Sequence, residues 1–190
     1  VMAEISEQLG KDGSAYRQEY GKLTAAIEKF FWDEEKGAYV DSFTSGKRNV
    51  TRHANIFAIL FDIADKQKQE KILKNVLEND EIPAITTPYF NFFELDVLCQ
   101  MGKLTEVLDK IRFYWGGMLD LGAVTFWEEY DPSVPKEEQY DMYGDHFGKS
   151  LCHAWAASPI YFLAKYFAGL DLVNKDGVTY VLKPQMQYFT

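Results

Sequence analysis

Apolar residues follow a helical period along most of the chain. The first long run has apolar residues spaced as one face of a helix, namely Tyr16, Tyr20, Leu23, Ile27, Phe30 and Phe31. Positions related by i+3, i+4 and i+7 lie on one side of an α-helix, so this run predicts a helix that stops at Gly37. A helical pattern is already present at Val1 and a strand-like pattern is still present at Thr190, so we expect the sequence to be a fragment or an excised domain.

Five further helices are predicted, over residues 49–64, 66–77, 89–101, 104–115 and 149–168. The helices over 49–64, 89–101 and 149–168 are largely apolar, which is typical of helices buried on most of their surface. Those over 66–77 and 104–115 are amphipathic. Gly102 is expected to follow the fourth helix as a C′ glycine, and Gly116 and Gly117 are expected to end the fifth.

The order of these helices predicts an all-α fold of helical hairpins. Buried and amphipathic helices alternate along the chain, as they do in a double-layered α/α toroid, whose inner helices are covered on both sides. An ordinary helical bundle or solenoid fits the pattern equally well. A short β segment follows, because residues 178–182 alternate in polarity between Gly177 and Pro184.

Composition and charge exclude several classes of protein. The 190 residues are 47% hydrophobic and 26% charged, which is typical of a globular domain and not of a disordered chain. The net charge of −9 repels phosphate backbones, so we expect no nucleic-acid partner. No apolar run is long enough to span a membrane. Cys99 and Cys152 lack metal-site spacing, and we expect both to be buried free thiols.

The residues most suited to chemistry lie in the long irregular stretch from Leu119 to Gly148. Trp127 precedes Glu128 and Glu129, and a carboxylate beside an aromatic ring is the pairing that glycosidases use. Neighbours on an extended segment point in opposite directions, so only one of the two glutamates can face a cleft. The alternative is an acidic surface turn that Trp127 anchors to the core.

Two histidines lie near predicted helix starts. His153 follows Ser150, a plausible helix N-cap, and could contact a ligand hydroxyl or be a core histidine bound to a backbone carbonyl. Arg52, His53 and Asn55 form a polar cluster at the start of the second predicted helix, where capping is the favoured interpretation. No known cofactor-binding or metal-binding motif is present, so no cofactor and no metal are predicted.

Together these stretches resemble the catalytic domain of α-L-rhamnosidases, glycoside hydrolases of the six-hairpin (α/α)6 class. The resemblance covers most of the chain and lies in five segments: FWDEEKGAYVDS (31–42), TRHANIFAILFDI (51–63), TPYFNFFELDVLCQMG (87–102), IRFYWGGMLDLGAVTFWEEYDP (111–132) and SLCHAWAASPIYFL (150–163). The TFWE and CHAW segments are the most specific. At residues 51–53 the family often has a Gln before the His, which puts any role of Arg52 or His53 in doubt.

The resemblance implies that the enzyme hydrolyses terminal α-L-rhamnosides with inversion and that its substrate is a carbohydrate. Glu128 matches the general base of the family, and Trp127 would help to shape the rhamnose pocket. His153 matches a sugar-contacting histidine, and Trp115 is predicted to bind substrate as well. The general acid of the family lies in an upstream segment with an Arg-Asp-Glu core, which this sequence lacks.

We therefore expect residues 1–170 to be the C-terminal half of a six-hairpin catalytic domain. Residues 171–190 are expected to start a β-sandwich or to form a trailing strand. Such a fragment should be inactive alone and should self-associate through exposed inner helices. Its compartment is not fixed by the sequence, and a secreted or periplasmic parent is compatible with it. The alternatives are another six-hairpin sugar hydrolase and a non-catalytic helical carbohydrate-binding or scaffold module.

Overall fold

The computed structural model describes residues 1–172 and 179–188. About 52% of the structure is helical, in agreement with the predicted all-α class. The chain divides into two compact units, Val1–Ala84 and Ile85–Thr190. We call them the N-terminal unit and the C-terminal unit.

The N-terminal unit contains four α-helices and a small hairpin. Its elements are α1 (Met2–Gln8), α2 (Ser14–Phe31), β1 (Trp32–Asp33), β2 (Ala38–Tyr39), α3 (Arg52–Leu60) and α4 (Lys66–Ile72), which continues as one π turn (Leu73–Leu77). Helices α3 and α4 are capped by side chains, since Thr51 accepts a hydrogen bond from the amide of Ala54 and Asp65 accepts one from the amide of Lys68. The antiparallel hairpin β1–β2 was not predicted; it turns at Gly37, where φ is +59°.

The polar cluster at the start of α3 does not cap that helix, so the capping interpretation is wrong: Thr51 is the N-cap, and Arg52 and Asn55 bond to backbone groups of other segments. The buried guanidinium of Arg52 donates to the carbonyls of Leu77, Asn79 and Ile82 at 2.9, 3.3 and 3.4 Å. Asn55 bonds to both the amide and the carbonyl of Tyr39. These contacts fix the turn after the π turn and the strand β2 against α3.

The apolar face of α2 is only partly covered within the N-terminal unit, where Phe30 and Phe31 contact the ring of Phe43. No residue of α2 is buried, and Tyr16, Tyr20, Leu23 and Phe30 are all exposed. The apolar spacing predicted helix α2 correctly, although it did not predict that this face is exposed. Large exposed apolar patches are uncommon in isolated domains, so this stripe is the part of the unit best suited to contact another surface.

The C-terminal unit packs three α-helices around an apolar core. Its elements are α5 (Pro88–Gln100), α6 (Leu104–Asp120), 3₁₀ turns at Lys136–Glu138 and Ala154–Ala156, α7 (Ser158–Phe162) with a π turn (Leu163–Phe167), β3 (Leu170–Leu172), β4 (Tyr180–Leu182) and a 3₁₀ turn at Met186–Tyr188. Its most buried large side chains are Leu95, Val97, Leu98, Met118, Phe162 and Phe167. As predicted, Gly102 follows α5 with φ +76°, and the amide of Lys103 bonds to the carbonyl of Leu98.

Helix α6 is longer than the sequence predicted. It continues through Gly116 and Gly117 and ends at Asp120, where Gly122 takes the left-handed conformation with φ +92°. Gly117 is needed for a different reason, because a Cβ at this position would lie 2.4 Å from the ring of Tyr130. Gly117 therefore makes room for Tyr130 of the following loop, and the glycine pair does not end the helix.

The predicted last helix, residues 149–168, is wrong in its first part. Residues 150–153 are irregular and not helical, and α7 begins only at Ser158, with Pro159 in its first turn. Ser150 is accordingly not a helix N-cap. Its amide bonds to the side chain of Glu128, and the amide of His153 bonds to the carbonyl of Phe126, so these groups are unavailable to a helix.

A short antiparallel pair of strands lies near the end of the described residues and is followed by the 3₁₀ turn at Met186–Tyr188. Strand β3 lies beside β4 with Leu170 opposite Leu182. The predicted strand over 178–182 thus corresponds to β4, although Val178 lies outside the described residues. Assignment of residues 171–190 to a separate β-sandwich stays a prediction.

Candidate active site

The candidate site is built from two irregular stretches, residues 125–128 and 150–153, that lie side by side. The amide of Glu128 donates to the carbonyl of Ser150 at 2.9 Å, and the amide of His153 donates to the carbonyl of Phe126 at 2.8 Å. The hydroxyl of Thr125 also bonds to the carbonyl of Leu151. The TFWE and CHAW segments, which are more than twenty residues apart in sequence, therefore meet directly.

The carboxylate of Glu128 is held on both oxygens. Glu128 is buried, with 8% of its surface exposed. Oε1 accepts a hydrogen bond from the hydroxyl of Tyr143 at 3.1 Å, and Oε2 accepts one from the amide of Ser150 at 3.1 Å. Nδ1 of His153 lies 3.8 Å from Oε2, which is close but beyond hydrogen-bonding distance. The carboxylate is thus buried, partnered and beside an imidazole.

An exposed aromatic face lies next to His153. The imidazole and the indole of Trp155 have centroids 4.2 Å apart, and Trp155 is in turn 5.4 Å from the ring of Tyr89. Trp155 is 45% exposed and Tyr89 is similarly open. Rings that are exposed at this level can stack on the apolar face of a sugar.

Trp127 lies on the other side of the stretch 125–128 from Glu128. It is buried and contacts the ring of Tyr140 edge-on at 5.6 Å. Trp127 lines a hollow of about 290 Å³ together with Tyr140, Phe147 and Leu151, and Glu128 does not line it. The structure therefore separates Trp127 from the carboxylate, as the alternation of side chains predicts for neighbours. Its contribution to a rhamnose pocket stays a prediction.

Trp115 lies in the core beneath the CHAW segment. It is 6% exposed, and its indole N–H donates to the carbonyl of Ala156 at 2.8 Å. This contact fixes the 3₁₀ turn that carries Trp155. The predicted contact of Trp115 with substrate is untested, and its position is that of a support for the aromatic face.

The charges around Glu128 are unevenly distributed. Oε1 of Glu129 accepts from the hydroxyl of Thr86 at 3.1 Å, so the second glutamate is used elsewhere. The ammonium of Lys149 is largely buried, and burial lowers its pKa, although Glu129, Asp131 and Glu128 oppose this effect. The negative charges of these acidic residues favour the charged form of Lys149, whereas its burial disfavours that form.

Three residues of this site were missed by sequence reasoning. Tyr143 and Ser150 hold the carboxylate, and Trp155 provides the exposed ring. The available signals were Gly144, a residue that often marks a turn, and the position of Trp155 two residues after His153. Ser150 contributes its backbone amide, which no side-chain pattern can reveal.

The two cysteines differ. Cys99 is buried and free, as predicted, and burial raises the pKa of its thiol to about 12. Cys152 is free but exposed, so the prediction of a buried thiol is wrong there. Cys152 lies in the irregular stretch beside residues 126–128.

The N-terminal unit has a separate, wider hollow of about 940 Å³. Thr51, Arg52 and His53 line it, with Asn79 and Glu81 on another side. Within residues 1–172 and 179–188, no group of histidine, cysteine and acidic side chains is arranged to hold a metal ion. Among the helices described, none is long and apolar enough to cross a membrane.

Residues 1–167 match the family described as the bacterial alpha-L-rhamnosidase 6 hairpin glycosidase domain. The chain belongs to this family. Its fold is therefore that of the six-hairpin glycosidases, as the sequence predicted.

The solved structures of two rhamnosidases are similar to this chain. A rhamnosidase from Klebsiella oxytoca with rhamnose bound is 33% identical, with a TM-score of 0.71, over 81% of this chain and 29% of that one. The GH78 family rhamnosidase of Bacillus sp. GL1 is 27% identical, with a TM-score of 0.75, over 91% of this chain and 18% of that one. No curated protein matches the chain. The chain thus spans less than a third of the length of either solved relative.

Proposed function

We propose that this chain supplies the general base and part of the sugar pocket of an inverting glycoside hydrolase that cleaves terminal α-L-rhamnosides. The observation that carries the proposal is the buried carboxylate of Glu128, held on both oxygens beside His153, in a member of the rhamnosidase six-hairpin family. A surface turn anchored by Trp127 would not require a buried and doubly bonded carboxylate.

Glu128 is equipped to take a proton from water. An ionised carboxylate has about four lone-pair positions, and the bonds from Tyr143 and Ser150 use two of them. A further position can accept the proton of a water molecule while that water attacks the anomeric carbon. In inverting enzymes the water attacks from the side opposite the leaving group, which a carboxylic acid about 6.5–9.5 Å from the base protonates.

The sugar pocket is assigned to the aromatic face beside the base. The imidazole of His153 is partly exposed and could bind a sugar hydroxyl through a ring nitrogen. Trp155 and Tyr89 offer the apolar surface on which the pyranose can stack. Trp115 supports this face through the carbonyl of Ala156, and Trp127 is assigned to shaping the rhamnose pocket, as the family resemblance implies.

The general acid is assigned to residues outside this sequence. The family resemblance implies an acid in an Arg-Asp-Glu segment, and no such tripeptide occurs in the 190 residues. Without an acid the leaving alcohol or phenol departs unprotonated, which is slow. We therefore propose that the chain by itself does not turn over an aryl α-L-rhamnoside.

Comparing two substrates tests the proposal. The leaving fluoride of α-L-rhamnosyl fluoride needs little protonation, so a chain with only the general base should hydrolyse it faster than the spontaneous reaction. Glu128→Gln should remove this excess, since general bases typically contribute about 10²–10⁴-fold. The same chain should leave an aryl α-L-rhamnoside intact.

Each outcome decides one part of the proposal. Turnover of the aryl rhamnoside would contradict the assignment of the acid outside this sequence. Equal rates for wild type and Glu128→Gln on the fluoride would contradict the role of Glu128. Faster hydrolysis of glucosyl or uronosyl fluorides would indicate another six-hairpin sugar hydrolase. Sugar binding with no hydrolysis of any fluoride would indicate a non-catalytic carbohydrate-binding module.

A further inference from the structure

Residues 142–145 form a tight two-residue hairpin in the loop above Glu128. The amide of Met142 donates to the carbonyl of Asp145 at 3.0 Å, and the amide of Asp145 donates back to Met142 at 3.0 Å. The two central residues, Tyr143 and Gly144, have φ of +56° and +82°. Positive φ at both central residues defines a type I′ turn.

The first central residue of this turn is unusual. Asn, Asp and Gly are preferred there because they tolerate the left-handed conformation, whereas a bulky side chain is strained in it. Tyr143 is 84% exposed, so core packing does not account for the choice. Such an outlier is typical of functional positions. The one hydrogen bond described for its hydroxyl is donated to Oε1 of Glu128.

The hairpin is held firmly from the side that leads to Ser150. A Cβ at Gly148 would lie 2.2 Å from the carbonyl oxygen of Met142, so only glycine allows the chain to pass this closely. The amide of Gly148 bonds to the carbonyl of Asp145 at 3.1 Å. Outside the turn, Nδ1 of His146 lies 2.6 Å from the carboxylate of Asp141. The turn and the amide of Ser150 therefore belong to one loop, and these contacts hold its shape.

We propose that Tyr143 is a positioning residue that fixes the orientation of the Glu128 carboxylate. The proposal rests on the proposed function of Glu128 as a general base. The terminal torsion of a glutamate is broad, so a carboxylate held at one oxygen still rotates. With the amide of Ser150 on one oxygen and the hydroxyl of Tyr143 on the other, the remaining lone pairs have fixed directions, and the attacking water has a fixed place.

The hydrogen bond to Glu128 also affects the pKa of Tyr143. Donation to the carboxylate of Glu128 raises the pKa of the phenol, and the negative charges of Glu128 and Glu129 act in the same direction. The hydroxyl therefore keeps its proton, and with it the hydrogen bond, throughout the neutral range.

Tyrosine NMR tests the contact without any enzyme assay. The chain is labelled with ¹³Cζ-tyrosine, the resonance of Tyr143 is assigned by its absence in Tyr143→Phe, and its pH titration is compared between wild type and Glu128→Gln. We expect the titration midpoint of Tyr143 to fall toward the ordinary tyrosine value in Glu128→Gln. An unchanged midpoint would overturn the proposal.

Kinetics on α-L-rhamnosyl fluoride test the consequence for catalysis. Tyr143→Phe should lower kcat by about three- to tenfold and leave KM unchanged, because the base loses its orientation while the sugar contacts remain. Tyr161→Phe is the matched control, since it removes a hydroxyl that bonds to Lys165 instead. An unchanged kcat, or a rise in KM alone, would overturn the positioning role.

A second variant separates positioning from folding. Asn is favoured in the left-handed conformation, so Tyr143→Asn should keep or raise Tm while it lowers kcat as Tyr143→Phe does. A fall of Tm together with kcat would mean that Tyr143 is structural and would contradict the proposal. If wild type hydrolyses no fluoride, the proposed function fails, whereas the tyrosine titration still decides whether Tyr143 holds the carboxylate.

Discussion

Replacing Trp115 by Phe distinguishes a supporting tryptophan from a sugar-binding one. The indole N–H of Trp115 donates to the carbonyl of Ala156 at 2.8 Å, and both residues are buried. Phenylalanine fills most of the same space but has no donor. The carbonyl of Ala156 would lose this donor in the core, directly below the turn that carries Trp155.

The magnitude follows from two contributions. A buried carbonyl that loses its donor costs about 1–3 kcal/mol. The smaller ring leaves a partly filled space, which adds about 1–2 kcal/mol. We therefore expect Trp115→Phe to lower the free energy of unfolding of the C-terminal unit by about 2–4 kcal/mol.

Urea denaturation followed by far-UV circular dichroism measures this change, with an unchanged m-value as the sign that only stability is affected. Trp155→Phe is the matched control, because this exposed tryptophan should cost less than about 1 kcal/mol while it weakens rhamnose binding in calorimetry. The reverse result would refute the reasoning: a Trp115→Phe chain of wild-type stability with weakened rhamnose binding would make Trp115 the sugar contact.

Three further predictions concern the rest of the chain. Arg52→Gln should lower the stability of the N-terminal unit by about 2–4 kcal/mol, because the buried guanidinium donates to three carbonyls. The exposed His53→Gln should change the stability by less than about 0.5 kcal/mol. Fluorescence of Trp32 reports this unfolding, and equal effects of the two substitutions would contradict the role of Arg52 in holding these carbonyls. A thiol reagent near neutral pH should modify Cys152 rapidly and Cys99 only after unfolding. Burial raises the pKa of Cys99 to about 12, so its thiolate forms only in strong alkali. Rapid modification of both thiols would contradict the burial of Cys99. Light scattering should detect self-association through the apolar stripe of α2, which Leu23→Glu should weaken, and a strictly monomeric wild type would rule it out.

The helices were predictable where a local rule governs them. The periodic apolar residues of α2 and α5 and the C′ glycine at Gly102 are short-range signals, and each corresponds to an element of the structure. The end of α6 was mispredicted because Gly117 serves a contact with Tyr130, thirteen positions later in the chain. A pattern within one helix contains no information about such a partner.

The candidate site was predictable only in part, for the same reason. Glu128 and His153 were candidates from the residues themselves, and the family resemblance assigned their roles; Nδ1 of His153 lies 3.8 Å from Oε2 of Glu128. The start of the last helix was mispredicted because Ser150 and His153 use their amides across to residues 126–128. The role of Tyr143 depends on a left-handed turn and a contact fifteen residues away, which neither propensity nor spacing encodes.

The most direct test of the central claim is proton NMR of α-L-rhamnosyl fluoride hydrolysis by the chain and by Glu128→Gln. A general base that activates water gives inversion, so the first product of the wild-type chain should be β-L-rhamnose, and Glu128→Gln should return the spontaneous rate. Formation of α-L-rhamnose first, or an unchanged rate in Glu128→Gln, would contradict the account.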